Sequence, residues 1–360
     1  MGLFKPTWMI AEKDVHNTKK WQAAYEYIRR SGAEELRLIA VKAPSRTARR
    51  EAFSRMGARD LAMILGELDS DDASDVRGRI VTLALTGDQS AVSAVTDGAM
   101  SAEILKKAMD DASYRELSQK GRPGFTPLSP AQRSELLSRV SDPEALSDIA
   151  RKAKNEHIRY EAAMKAGDEK ALGKIALEAK EHTVQFNAAA GIRDPLVRME
   201  LLSSPDASPD TRRGALSGFS EETLAGIVLR DDLPEGSRSA AVAALSAMPG
   251  SRVSLEPFIT DETMPLAVKL EAVKTVKDTA LLERIARSGG AFELRSLALE
   301  NITDHNVLAR IRDEVPELME AACGRMGHDM VFAGTEKTGS GTVSVSRCRI
   351  CGWESRVLNG

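Results

Sequence analysis

The chain has 360 residues, a formal net charge of −3 and 42% hydrophobic residues, enough to bury a sizeable core, which excludes a disordered tail. No stretch approaches the roughly 18 apolar residues that a membrane-spanning helix needs, and the opening MGLFKPTWMI lacks an apolar run of signal-peptide length, so a cytoplasmic location is expected. Aromatics make up only 4% while Ala and Leu are abundant, which favours closely packed helices over a β-sandwich.

Residues 1–30 read as an N-terminal capping segment. Gly2 follows Met1 as in a myristoylation signal, but Pro6 stands where that signal needs Ser or Thr. Trp8, Trp21 and Tyr25 are expected to cover the open end of a first repeat, because stacked repeats expose an apolar face at each end.

From Gly32 to Asp304 one pattern of about 26 residues recurs. It is clearest where DPEALSDIARKAKNEHIRYEAAMKAG, starting at Asp142, is followed by DEKALGKIALEAKEHTVQFNAAAGIR, starting at Asp168. Leu stands four residues after the start at Leu36, Leu146, Leu172, Leu224, Leu282 and Leu308. Ile stands seven after it at Ile39, Ile149, Ile175, Ile227, Ile285 and Ile311, and these two offsets share one helical face. Later in each unit an Arg precedes a small residue by three, as Arg49 and Ala52, Arg159 and Ala162, Arg238 and Ala241, or Arg295 and Ala298, which marks a second helix. Asp142-Pro143 and Asp194-Pro195 are strong helix starts, since the carboxylate can accept orphan N–H groups and Pro at the first position forfeits no bond. Asp168, Ser220, Asp278 and Asp304 hold the equivalent place. Helices of roughly ten residues are unstable alone in water, so burial between neighbouring units must stabilise them.

The frame is lost between Ala102 and Val140, and Gly121 to Pro130 read as a loop, either a longer connection or a hinge or binding loop. A second irregularity surrounds Pro249-Gly250, with Pro257 and Pro265 marking shifted helix starts. The expected organisation is therefore a cap at 1–30, solenoid repeats at 31–120, a loop at 121–130, further repeats at 131–320 and a separate module at 321–360.

The motif D-x3-L-x2-I-A followed by R-x2-A, best seen in 142–163 and 278–298, resembles HEAT-type repeats of the αα-solenoid superfamily. The opening MGLF-x-P-x-W, with Trp8 in place, is similar to bacterial repeat proteins described as HEAT-like. The resemblance implies an all-α αα-superhelix, a HEAT-like solenoid of helix pairs, and brings no activity. It also implies that Asp and Arg columns bond to one another between adjacent repeats, although Gln185 replaces the Arg in one unit.

The three cysteines lie at 323, 348 and 351, an arrangement that does not suggest a disulfide framework. Cys323 and His328 form a C-x4-H pair, and Cys348 and Cys351 a C-x2-C pair followed by Gly352. A β-prone hairpin pattern with Gly339-Ser340-Gly341 near its tip separates them. The segment looks like a zinc ribbon, a small β module in which Cys323, His328, Cys348 and Cys351 complete a tetrahedron around a structural Zn2+. A redox-active CxxC and unliganded thiols are the alternatives, the first disfavoured by the lack of a βαβ context.

The remaining histidines, His16, His157, His182 and His305, read as turn or surface residues. Asn301-Ile302-Thr303 matches a glycosylation acceptor by chance, given no secretory signal. Two functions compete. One is a non-enzymatic scaffold whose partner is another protein bound on the concave surface. The other is a nucleic-acid binder in which Arg49, Arg77, Arg159, Arg212, Arg213, Arg238, Lys269 and Arg295 present a basic stripe next to the zinc ribbon. Balanced charge weighs against the second, and an enzyme is not expected, because no Gly-rich phosphate loop or nucleophile set is present.

Overall fold

The computed structural model describes residues 6–109, 113, 115, 116, 127–249, 253–288, 290–338 and 341–359. These are mostly α-helical, with a small three-stranded antiparallel sheet at the C-terminal end. The chain divides into two compact units, Met1–Gly191 and Ile192–Gly360. No helix among the described residues is long and apolar enough to cross a membrane.

In the first unit helix Ala33–Lys42 packs on Arg46–Arg55, Ala58–Ile64 on Ser70–Leu85, Gly98–Lys107 on Pro130–Arg139, Pro143–Lys152 on Glu156–Ala166, and Glu169–Glu178 on His182–Gly191. In the second unit the pairs are Pro195–Ser203 with Pro209–Leu216, Glu221–Leu229 with Glu235–Ala247, Glu256–Thr260 with Leu266–Val273, Thr279–Arg287 with Phe292–Asn301, and His305–Glu314 with Met319–Met326. The second helices of successive pairs in this unit lie side by side in one row.

The expected caps close these helices. Asp142 accepts the N–H groups of Glu144 and Ala145, and Asp278 and Asp304 each accept two N–H groups from the next turn. All twelve Leu and Ile of the repeating face are buried, with Ile39, Ile149 and Ile311 wholly inaccessible. Full burial of side chains of this size stabilises by about 1.5–3 kcal/mol each, so the repeating face supplies the core that short helices lack alone. Ala52, Ala162, Ala241 and Ala298 are also fully buried, and their small side chains let the second helices approach closely.

The regular frame resumes earlier than the sequence pattern suggests. Gly121 to Thr126 of the expected loop lie outside the described residues, but Ser129 caps helix Pro130–Arg139 in a reciprocal box with Gln132, and Pro130 opens that helix. Pro257 and Pro265 stand at helix starts as expected. At the other end Trp8 is buried, while Trp21 and Tyr25 are half-buried with ring centroids 6.1 Å apart. Glu12 fastens this segment by accepting from Ser45 Oγ at 2.6 Å and Thr47 Oγ1 at 2.7 Å, at the N-terminus of Arg46–Arg55.

The Arg column corrects the expected ladder. Arg159 donates to the Ala150 carbonyl at 3.2 Å and Arg295 to the Ala286 carbonyl at 3.0 Å, each in the last turn of the preceding helix. Arg238 does the same to Val228 at 2.8 Å. The guanidinium thus meets the negative end of a helix dipole. The acidic partners of Arg159 and Arg295 are Glu178 and Glu317, not the capping aspartates, whereas Arg49 pairs with Asp72 and also reaches the capping Asp69 at 3.7 Å. Arg133, which sequence reading overlooked, falls 26 residues before Arg159 and also turns inward, donating at 3.2 Å to Leu128 O in the segment just before its own helix and pairing with Glu161. Arg212 contacts Ser237 Oγ and Pro205 O, whereas Arg77 and Arg213 are exposed.

Candidate metal centre

Helix Met319–Met326 is the last of the second-helix row, so its position is set by the helical layer. Leu318 and Ala322 are fully buried, Cys323 is 2% exposed, and Arg325 donates to the Ile302 carbonyl at 3.1 Å. The helix stops at Gly327, whose φ of 86° lies in the left-handed region that glycine enters without a Cβ clash. This turn brings His328 back beside the helix, close enough that a Cβ on Gly324 would lie 3.5 Å from His328 Nε2.

The chain then forms β1 (Met330–Thr338), β2 (Gly341–Cys348) and β3 (Glu354–Asn359), paired in the order β1-β2-β3. The hairpin was expected; β3 was not. Register places Met330 opposite Cys348, so the strand ends carry the two ligand pairs to the same edge of the sheet. After Cys348 the chain turns sharply. Gly352 N–H donates to Cys348 O at 3.0 Å, Cys348 N–H to Trp353 O at 2.8 Å, and Arg349 N–H to Asp329 O at 3.0 Å. Gly352, with φ 78°, makes that reversal possible.

Cys323, His328, Cys348 and Cys351 converge, with one ligand atom from each lying within 4.8 Å of all the others. Cys351 Sγ and His328 Nδ1 are 3.4 Å apart. A tetrahedral ion with thiolate bonds near 2.3 Å and an imidazole bond near 2.0 Å separates such a pair by about 3.5 Å, so the donor set fits one ion with small adjustment. Three thiolates and one imidazole are soft and borderline donors that select a metal of the same character over Mg2+ or Ca2+.

The electrostatics favour a cation. The N–H groups of Cys351 and Ile350 point at the Cys348 sulfur and, helped by His328, bring its thiol down to about 6. Burial, followed by the neighbouring sulfurs of Cys351 and Cys348, pushes the Cys323 thiol up to about 12, because a further negative charge has nothing to balance it. A divalent ion among the sulfurs removes that repulsion, and three thiolates with one such ion leave a net charge of about −1. Arg312, on the helix before, is paired chiefly with Asp313 at 2.7 Å, and its charge is also felt at Cys323 and Cys348.

Two contributors were not legible in the sequence. Arg312 sits in an ordinary helical pattern with no motif around it. Trp353 follows the C-x2-C-G turn and stacks on the His328 ring, with centroids 4.6 Å apart and planes 8° from parallel, which holds the imidazole in orientation. Of the other histidines, His157 pairs with Glu181 at 2.9 Å and takes no part in the cluster. Compared with protein-family models, with curated proteins and with solved structures, the chain matches none.

Proposed function

We propose that the chain is a non-enzymatic interaction scaffold, a HEAT-like α-solenoid that binds another protein on the surface of its repeated second helices, with a structural zinc site at its C-terminal end. The observation that carries this reading is the inward engagement of the Arg column. Arg49, Arg133, Arg159, Arg238 and Arg295 are committed to carbonyls of their own helix pairs, most of them with an acid as well, and so do not line up as a phosphate-binding stripe. Regular stacking accounts for these residues, leaving the exposed side chains between them to do the recognising.

The Cys3His donor set supports zinc, and four protein ligands leave no open position for catalysis. Such reduced thiols suit a cytoplasmic protein. Elemental analysis of the purified chain should find about one zinc per molecule. The scaffold reading is tested by affinity capture from the native host with the zinc-loaded chain as bait, together with nucleic-acid binding at two salt concentrations. A reproducible protein partner and no nucleic-acid affinity at low salt are expected. Nucleic-acid binding that weakens steeply as salt rises would overturn the reading.

A further inference from the structure

In the second unit, helices Glu235–Ala247, Leu266–Val273 and Phe292–Asn301 lie side by side and bound an open groove of about 500 Å³. Its apolar lining comes from Leu270, Leu297 and Phe292, and Phe292 is 53% exposed at the first position of its helix, an aromatic ring held half in water. Stacking does not account for that exposure, since the ring forms no part of the Leu-Ile face that binds one helix pair to the next.

The groove is also acidic. Glu271 is balanced by Lys274 at 2.7 Å, but neither Glu293 nor Glu300 has an ion-pair partner among the described residues. In the same lining the Ser239 hydroxyl oxygen is buried and makes no hydrogen bond, and a buried polar atom in that state ordinarily meets a water or a ligand.

We infer that this groove docks a basic segment of a partner protein, one carrying a large apolar side chain between two Lys or Arg residues. Glu293 and Glu300 are seven residues apart on one helix, which separates them by about 10 Å along its axis. Leu297 lies between them. A segment whose basic residues are spaced to match, with an apolar anchor against Phe292 and Leu297, pairs both carboxylates and covers the exposed ring in one placement. The carboxylates repel phosphates, so the same groove disfavours nucleic acid. The inference rests on the scaffold reading and adds the chemistry of the partner.

The test is selection of short random peptides on the zinc-loaded full chain, with binding of the enriched peptides measured at low and high salt. Enrichment of an apolar residue flanked by Lys or Arg is expected, with affinity weakened roughly tenfold or more by Phe292→Ala and by the double replacement of Glu293 and Glu300 with Lys. These side chains are exposed, and far-UV circular dichroism checks that the variants keep their fold. Enrichment of neutral or acidic peptides, binding unchanged in both variants, or no enrichment at all would each overturn the inference. A host partner retained equally by the wild type and by both variants overturns the groove while leaving the scaffold standing; a wild-type chain that captures no protein removes the scaffold itself.

Discussion

Replacing Cys348 by Ser removes the ligand at the junction of β2 and the tight turn, and its consequence follows from how little else holds the sheet. Among the described residues from 330 to 359 only Val345 and Cys348 are buried, while Phe332, Val357 and Leu358 are 67%, 60% and 54% exposed. Burial of one Val contributes about 1.5–3 kcal/mol, whereas a structural zinc ion contributes about 10–16 kcal/mol in small modules at neutral pH. A metal held by the four residues would therefore be the largest single stabilising contribution to the sheet. The helix bearing Cys323 does not depend on it, since Leu318 and Ala322 anchor that helix to the layer. Hydrogen exchange of the variant should show β1, β2 and β3 losing protection while Thr279–Arg287 and Phe292–Asn301 keep theirs, with far-UV helicity nearly unchanged and zinc content strongly reduced. Full zinc content, or metal loss with the sheet still protected, would refute the reasoning.

Three further outcomes are expected. Arg159→Ala strips a guanidinium that is 18% exposed from the Ala150 carbonyl and Glu178 and should cost about 1.5–3 kcal/mol, whereas Arg213→Ala, at a side chain 68% exposed, should stay within about 0.5 kcal/mol, both read by urea unfolding. Gly352→Ala forces an L side chain to φ 78°, a strain of about 1–2 kcal/mol that should weaken zinc binding roughly tenfold in a competition titration. Hydrogen bonds from Ser45 and Thr47 lower the Glu12 carboxyl from 4.5 to about 2, so its tether is complete above pH 4.5, weakens as pH falls and is lost below about pH 2. Exchange at the Thr47 amide, which donates to Glu12, should follow that window in the wild type and lose the dependence in Glu12→Gln.

Residue pattern alone determined the helix pairs, their caps and the four clustered candidate ligands. Leu146 and Ile149 sit on one face because an α-helix repeats every 3.6 residues, and Asp142 caps because its own side chain reaches the next N–H groups; both are short-range facts that a linear sequence records. The ligands were legible because chelation fixes spacings along the chain, as in Cys348 and Cys351. Tertiary structure alone decided the rest. It selected Glu178 over Asp168 as the partner of Arg159, returned Arg133 to the column, stacked Trp353 on His328, brought Arg312 up to the sulfurs and left Phe292 exposed beside Glu293. Each of these depends on where one helix end or turn lies against another, and that placement comes from packing many side chains at once, which no local period or spacing encodes.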